Sequence, residues 1–279
     1  MLGVTRRSKS LNLRRYMNFL FRKVANSGLA YRIYERSLLN QIRDGEKPEH
    51  IAVILDGNRR WANMRLAPLS FGHEKGADKV EDLLRWTLDI DVRTVTIYAL
   101  STENFHRPKE EVADIMDLFD ERLLRLKGDK DVHEQHVKVR AIGRRHLLPE
   151  KTQELIKQLE EATKDYDRHY LNIAVAYGGR AEIIDAMRTI AEEVKQGKLK
   201  TDEINEKTVE EHLYTSYLPK SDPDLIIRTS GEERLSGFLL WQAAYSELCF
   251  MDVYWPDFRR IDLLRAIRTF QKRERRYGT

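Results

Sequence analysis

Hydrophobic positions along this chain fall into two recurring kinds of stretch. Short apolar runs rich in Val, Ile and Leu recur at 50–55, 94–100, 137–142, 171–176, 224–229 and 248–253, and they predict six strands. The run at 137–142 alternates apolar and polar residues, which suits a strand near a sheet edge. The run at 51–55 is apolar throughout, as expected of a strand buried on both faces. Between these runs the apolar residues recur at helical spacing. Val80, Leu83, Leu84 and Leu88 predict a helix over 74–89. Val112, Ile115, Met116, Phe119, Leu123 and Leu126 predict another after Pro108. Further helices are expected over 150–165, through Ile183, Ile184, Met187 and Ile190, through Trp241 and Tyr245, and over 259–274. Residues 62–72, with Pro68 and Gly72, read as irregular.

Strands alternating with helices predict an α/β fold, a single domain of about six mainly parallel strands flanked by helices. The turn sequence Asp44-Gly45-Glu46-Lys47-Pro48 divides a basic, partly amphipathic arm (1–47) from the domain proper (48–279).

Charge sharpens that division. The 279 residues carry a net +4, but residues 1–43 hold ten Lys and Arg against Glu35 alone, a net of +9. Residues 44–279 therefore carry 4 − 9 = −5, and nucleic acid is not expected as a partner of the main body. Leu13, Met17, Leu20 and Val24 place one apolar face opposite Arg14, Arg15, Arg22 and Lys23. Such a segment suits peripheral contact with an anionic membrane surface; a helix packed on the domain is the alternative. The single cysteine, Cys249, excludes an intrachain disulfide and lies in an apolar run. No apolar stretch approaches the length needed to span a bilayer and no secretory signal is evident, so a cytoplasmic location is expected.

In parallel sheets, ligands bind beyond the carboxyl ends of the strands. Three unusual loops fall there: 56–61, 101–107 and 229–236. Pooled with His73, they bring together Asp56, Arg60, Asn104, Arg107, Arg228, Arg234 and Ser236. Arginine forks match phosphate oxygens, and four at one rim exceed the need of a single phosphate. Each arginine alone reads equally as a solvated charge. Asp56 is unwelcome beside a phosphate unless a hard cation bridges the two; a plain turn in which Asp56 caps the following helix is the simpler reading. A phosphate-binding rim beside an apolar helix face suggests an amphiphilic substrate, although that face also suits ordinary core packing.

The motifs themselves carry a resemblance. Asp56-Gly57-Asn58-Arg59-Arg60-Trp61, Gly72-His73 with Gly76, Tyr98-Ala99-Leu100-Ser101-Thr102-Glu103-Asn104 with Arg107-Pro108, and Tyr177-Gly178-Gly179-Arg180 are similar, in order, to those of cis-prenyltransferases. So are Arg228-Thr229, Gly231-Glu232, Arg234-Leu235-Ser236 and Trp255-Pro256-Asp257-Phe258. The resemblance, to the undecaprenyl and dehydrodolichyl diphosphate synthases, spans about 48–278. It implies a Mg²⁺-dependent homodimeric transferase that condenses isopentenyl diphosphate onto an allylic diphosphate such as farnesyl or geranylgeranyl diphosphate. The product implied is a long-chain Z-polyprenyl diphosphate, precursor of a glycosyl-carrier lipid.

Carried over residue by residue, the resemblance implies catalytic roles for Asp56, Asn104 and Arg107. Gly57, Asn58, Arg59, Arg60, Trp61 and His73 would hold the allylic diphosphate, and Arg228, Arg234, Ser236, Arg276 and Gly278 isopentenyl diphosphate. Asp56 and Glu247 would serve the metal, Glu247 in some members from across the dimer. Ala99, Leu100, Val112, Ile115, Met116, Phe119 and Leu123 would line a tunnel for the growing chain. Arg59 and the ending Arg276-Tyr277-Gly278 resemble archaeal and eukaryotic members. Leu69 and Glu233 depart from the common pattern, which has Arg and His or Asn there. A non-catalytic partner subunit of the same fold is the alternative, but such partners lose the aspartate and the Arg–Arg–Ser set kept here. The trans-type enzymes use Asp-rich DDxxD helices; Asp114, Asp117 and Asp120 lack an Asp-Asp pair and read as a solvated face.

Overall fold

Six strands form one sheet in the order β3-β4-β2-β1-β5-β6, and every neighbouring pair is parallel. They are β1 (His50–Ile54), β2 (Thr94–Ser101), β3 (Val137–Ile142), β4 (His169–Tyr177), β5 (Leu225–Arg228) and β6 (Glu247–Phe250). The architecture comes from a computed structural model that describes residues 28–273. The predicted amphipathic segment from Leu13 to Val24, and Arg276 and Gly278, lie outside the described residues. The helices are α1 (Gly28–Ile42), α2 (Asn58–Met64), α3 (Leu69–Asp89), α4 (Lys109–Lys127), α5 (Lys130–Glu134), α6 (Glu150–Ala162), α7 (Gly179–Lys195), α8 (Glu206–Glu210) and α9 (Arg260–Lys272).

The described chain divides into two compact units. In residues 47–258, β1 and β4 are buried along their whole length, and the alternating β3 lies at the sheet edge as its pattern predicts. One sheet face carries Ala52, Ile54, Tyr98, Ala174 and Ile226 into a core with Tyr177, Phe238 and Leu239. Strand side chains alternate between faces, so Ile97, Leu171 and Ile173 point the other way, towards α3 and α4. The second unit joins α1 to α9. Arg260 pairs with Glu35 at 3.3 Å, and Arg259 and Arg265 donate to the hydroxyls of Tyr31 and Tyr34. Among the described residues no helix is long and apolar enough to cross a membrane.

Three local expectations are corrected. Residues 62–72 are largely helical: α2 runs to Met64 and α3 begins at Leu69, directly after Pro68. Residues 236–245 form hydrogen-bonded turns rather than a helix, because Ser236, Gly237 and Leu239 adopt left-handed φ values of 50°, 79° and 44° that no right-handed helix accepts. Asp120 is buried rather than solvated, accepting a hydrogen bond from Thr152 Oγ1 at 2.7 Å and pairing with Lys151.

Candidate active site

β1 stops at Ile54 and the chain turns through Asp56 and Gly57. Gly57 has φ 112°, a conformation that disfavours side chains, and a Cβ there would stand 2.7 Å from the Tyr254 ring. Gly57 occupies the N-cap of α2, whose first-turn amides receive no side-chain cap. The simpler reading, Asp56 as a helix cap, therefore fails. Its carboxylate turns to two arginines instead: Oδ1 accepts from Arg60 Nη2 at 3.2 Å and Oδ2 from Arg228 Nη2 at 2.8 Å. Arg228 ends β5, which pairs with β1 so that Ile54 and Arg228 are level. Burial alone would raise the Asp56 carboxyl. Hydrogen bonds from Arg228 and Ser230, with the charges of Arg228 and Arg60, outweigh burial and hold it below the usual carboxylate range.

Two further carboxylates organise the remaining cations. Glu232 accepts from Arg60 Nη1 at 3.0 Å and pairs with Arg234. Arg60 also donates to Ser230 Oγ at 2.6 Å, while Arg228 Nη1 donates to Ser236 Oγ at 2.8 Å and to the Arg234 carbonyl. On the other side of the cleft, Glu111 Oε1 lies 3.2 Å from Arg107 Nη1, 3.4 Å from Arg59 Nε and 3.5 Å from His73 Nε2. Burial, with the nearby Arg107 charge, depresses His73 and keeps its imidazole neutral near pH 7, although Glu111 pulls the other way. Five arginines against three carboxylates leave the site at 5 − 3 = +2. Its arginines rest on carboxylates and retain an excess of positive charge.

Asp56, Arg59, Arg60, His73, Arg107, Arg228, Glu232, Arg234 and Ser236 line an open cleft that also takes in Asn58, Ser101, Asn104 and Leu100. Asn104 Oδ1 accepts from Ser101 N at 3.0 Å, fixing the loop after β2. A bulge in β2 around Tyr98 to Ser101 shifts its register against β4 and re-aims this strand end. Leu55, Asn58, His73, Ala99 and Ile115 belong both to the cleft and to a second, mostly apolar cavity. That cavity runs between the sheet and helices α3 and α4. Polar head site and apolar tunnel are thus continuous.

Most of the residues named from sequence meet here, and some do not. Ile115, Phe119 and Leu123 line the tunnel beside Ala99; Leu100 faces the cleft instead, and Val112 and Met116 line neither cavity. The tunnel adds Ala77, Val80, Leu84, Leu118 and Leu126. Trp61 is buried, donating Nε1–H to Asp257 at 2.8 Å, and does not line the cleft. Glu247 is paired in register with Leu225, itself level with Ile51, so within one chain it stands at the amino end of the sheet, away from Asp56. Sequence reasoning missed Glu111 and Glu232 as site residues. Only their positions, at the start of the helix after one rim loop and inside another, marked them.

An arginine-bound aspartate at a parallel-strand end, opening onto an apolar tunnel, is the arrangement that the motif resemblance implies, and comparison with known proteins agrees. The family profile described as "Putative undecaprenyl diphosphate synthase" matches residues 54–278. The chain belongs to the undecaprenyl diphosphate synthase family. It is 58% identical over 249 residues to the tritrans,polycis-undecaprenyl-diphosphate synthase (geranylgeranyl-diphosphate specific) of Methanopyrus kandleri, covering 89% of this chain and 91% of that one. The protein of the same description from Methanocaldococcus jannaschii is 50% identical, covering 97% and 96%. Among solved structures, lavandulyl diphosphate synthase from Lavandula x intermedia, crystallised with dimethylallyl diphosphate, superposes with a TM-score of 0.81 at 37% identity, over 84% of this chain and 99% of that one. The fold is thus shared with that solved structure.

Proposed function

We propose that this chain condenses isopentenyl diphosphate repeatedly onto an allylic diphosphate, with geranylgeranyl diphosphate as primer, to make a long-chain Z-polyprenyl diphosphate. The primer assignment rests on the geranylgeranyl-diphosphate specificity in the names of the archaeal relatives. The observation that carries the reading is the continuity of the arginine-lined cleft with the apolar tunnel through Asn58, His73 and Ala99. A diphosphate suits the first and a prenyl chain the second.

In each cycle the allylic C–O bond breaks and its electron pair leaves with the diphosphate. The alkene π pair of isopentenyl diphosphate forms the new C–C bond, and one proton is lost from the added unit. Arg59, Arg60, Asn58 and His73 bind and neutralise the departing diphosphate, where removal of one stabilising group typically costs 10²–10³-fold in rate. Neutral His73 donates or accepts a hydrogen bond there without adding charge. Arg228, Arg234 and Ser236 orient the incoming diphosphate, holding the two reactants at fixed separation.

The donor set fits Mg²⁺. A single carboxylate plus substrate phosphates is the usual protein share of such a site, and Asp56 supplies that carboxylate. Two diphosphate esters bring on the order of four negative charges or more, beyond the +2 of the site, and the ion when bound supplies the missing neutralisation. Glu247 would act from the second subunit of a homodimer. Ile184, Met187 and Tyr245, large apolar side chains exposed in the single chain, support such pairing. Peripheral membrane contact through residues 1–43 remains part of the reading, supported by their +9 charge.

Purified protein supplied with Mg²⁺, radiolabelled isopentenyl diphosphate and geranylgeranyl diphosphate tests this directly. A ladder of Z-prenyl products, abolished by chelation, is expected; absence of any chain elongation with every allylic primer would remove the proposal.

A further inference from the structure

Between Asn63 and His73, both residues of the cleft, the chain swings away from the substrate site and exposes an apolar tip. Met64 is 68% exposed, Phe71 38% and Leu66 97%, the most exposed large apolar side chain among the described residues. Pro68 is exposed between them. α2 ends here in a Schellman turn: Ala67 N–H donates to the Ala62 carbonyl at 3.0 Å, and Leu66 N–H to that of Asn63 at 3.1 Å. Glycine usually holds the left-handed position of such a turn. In this chain Leu66 holds it, at φ 52°.

Folding does not account for a leucine there. The left-handed conformation crowds any Cβ, and a side chain left in water returns no burial to offset that cost. The base of the tip, by contrast, is fixed. Trp61 packs on Phe71 with ring centroids 5.8 Å apart, and a Cβ on Gly72 would stand 2.4 Å from the Asn58 carbonyl. Cations flank this base: Arg65 lies 4.0 Å over the Trp61 ring and Lys75 5.4 Å over that of Phe71, each also paired with one carboxylate, Asp257 and Asp78. Residues 57–73 hold Arg59, Arg60 and Arg65 and no acid. An apolar tip that projects, with a basic base, fits an anionic bilayer surface. Fluid lipid accepts a protruding side chain without matching its shape, and anionic headgroups attract the cations behind it.

We propose that the α2–α3 tip is a membrane-docking element that seats Met64, Leu66 and Phe71 in an anionic bilayer and brings the cleft to its surface. The choice of lipid over a protein partner rests on the condensation reading above. Primer and product are then amphiphiles whose tails partition into lipid, and the tip is the stretch of chain that joins two residues of the cleft receiving them. The contact is distinct from that of the basic arm, since the tip belongs to the 47–258 unit. It is also apolar, so salt does not screen it. Attraction of residues 1–43 to anionic lipid fades when the Debye length falls to about 3 Å in 1 M salt.

Cosedimentation of the full chain with vesicles of phosphatidylcholine and phosphatidylglycerol tests this, at about 0.1 M and about 1 M salt. The Met64→Gln, Leu66→Asn double variant keeps the turn, because asparagine tolerates the left-handed position, and it alters no residue that lines the cleft. It is expected to melt no lower than the parent and to condense detergent-dispersed primer at the parent rate. Its partitioning onto vesicles in 1 M salt is expected to fall about tenfold. Leu66→Trp is expected to partition more strongly than the parent, and its added fluorescence to be quenched by brominated lipid. Equal partitioning of the parent and the double variant overturns the proposal, as does added fluorescence that brominated lipid leaves unquenched. So does a change in oligomeric state of the double variant with partitioning unchanged, which would make the tip a contact between copies. Should the double variant fail to fold, the quenching of Leu66→Trp still decides. A parent protein that elongates no primer would refute the condensation reading itself, a result on which vesicle partitioning does not depend.

Discussion

Glu111 Oε1 stands 3.5 Å from His73 Nε2, joining the first turns of α4 and α3 across the mouth of the tunnel. The same oxygen pairs with Arg59 and Arg107, so one largely buried carboxylate holds two cations at the cleft, beside a His73 Nε2 that has no hydrogen-bond partner. Glu111→Gln removes the charge and leaves its cations facing one another. Leaving such groups unpaired costs about 1–3 kcal/mol. The variant is expected to melt at lower temperature than the parent, and added inorganic diphosphate should recover most of the difference. A thermal-shift titration checks this; a loss that diphosphate does not recover would assign Glu111 to the fold alone.

Asp56 lies between Arg60 and Arg228, and the second of these is almost wholly buried. Asp56→Ala is expected to lower the single-condensation rate by about 10²-fold or more. It also strands the Arg228 charge, so stability should fall by about 3 kcal/mol. Asp56→Asn keeps an acceptor for Arg228 and should regain stability without regaining rate. Rates and denaturation midpoints measured together separate the two effects; turnover within tenfold of the parent in Asp56→Asn would remove the carboxylate from the chemistry.

Gly76 gives Asn58 its place. A Cβ at residue 76 would lie 2.6 Å from Asn58 Oδ1, an atom buried without a partner. Gly76→Ala therefore displaces the end of a flexible side chain rather than the backbone. The expected result is a small change in Tm with a KM for the allylic diphosphate raised about tenfold, equivalent to ~1.4 kcal/mol. Steady-state kinetics at saturating isopentenyl diphosphate measures it. An unchanged KM would show that Asn58 makes no contact with the diphosphate.

His50 supplies a pH dependence unrelated to the reaction. It is fully buried at the start of β1, with Nε2 2.7 Å from Thr96 Oγ1. Desolvation by burial pushes its imidazole down to about 4, despite the Asp224 charge. The unfolded chain then binds the proton more readily, so stability is complete above pH 6.5 and falls as pH drops towards 4. Linkage gives a loss of about 2 kcal/mol by pH 5. Denaturant unfolding at pH 7 and pH 5 should show this difference in the parent and a smaller one in His50→Gln. Equal differences in the two proteins would contradict it.

The sheet was legible because its central strands are apolar runs buried along their length, as in β1 and β4, and its edge strand β3 alternates, patterns that need no partner information. The start of α3 was not, because Gly72 and Gly76 are poor helix formers placed in its first two turns. They are there because Asn58 and the α2 backbone pass too close for a side chain. The expected helix through Trp241 had adequate spacing, yet the left-handed turn at Ser236 and Gly237 broke it. That turn brings Ser236 to Arg228, a tertiary requirement that periodicity does not encode. The arginines were legible as a set because they fall in three loops at strand ends. Glu111 was not, since its cationic partners, Arg59 and Arg107, come from α2 and a separate loop.

The walls of the tunnel differ in kind. One is a hydrogen-bonded sheet whose strand ends also carry the reacting groups; the other is a pair of helices joined at the seam by ions. The helical wall can therefore be resized without disturbing the strand ends that carry Asp56 and Arg228.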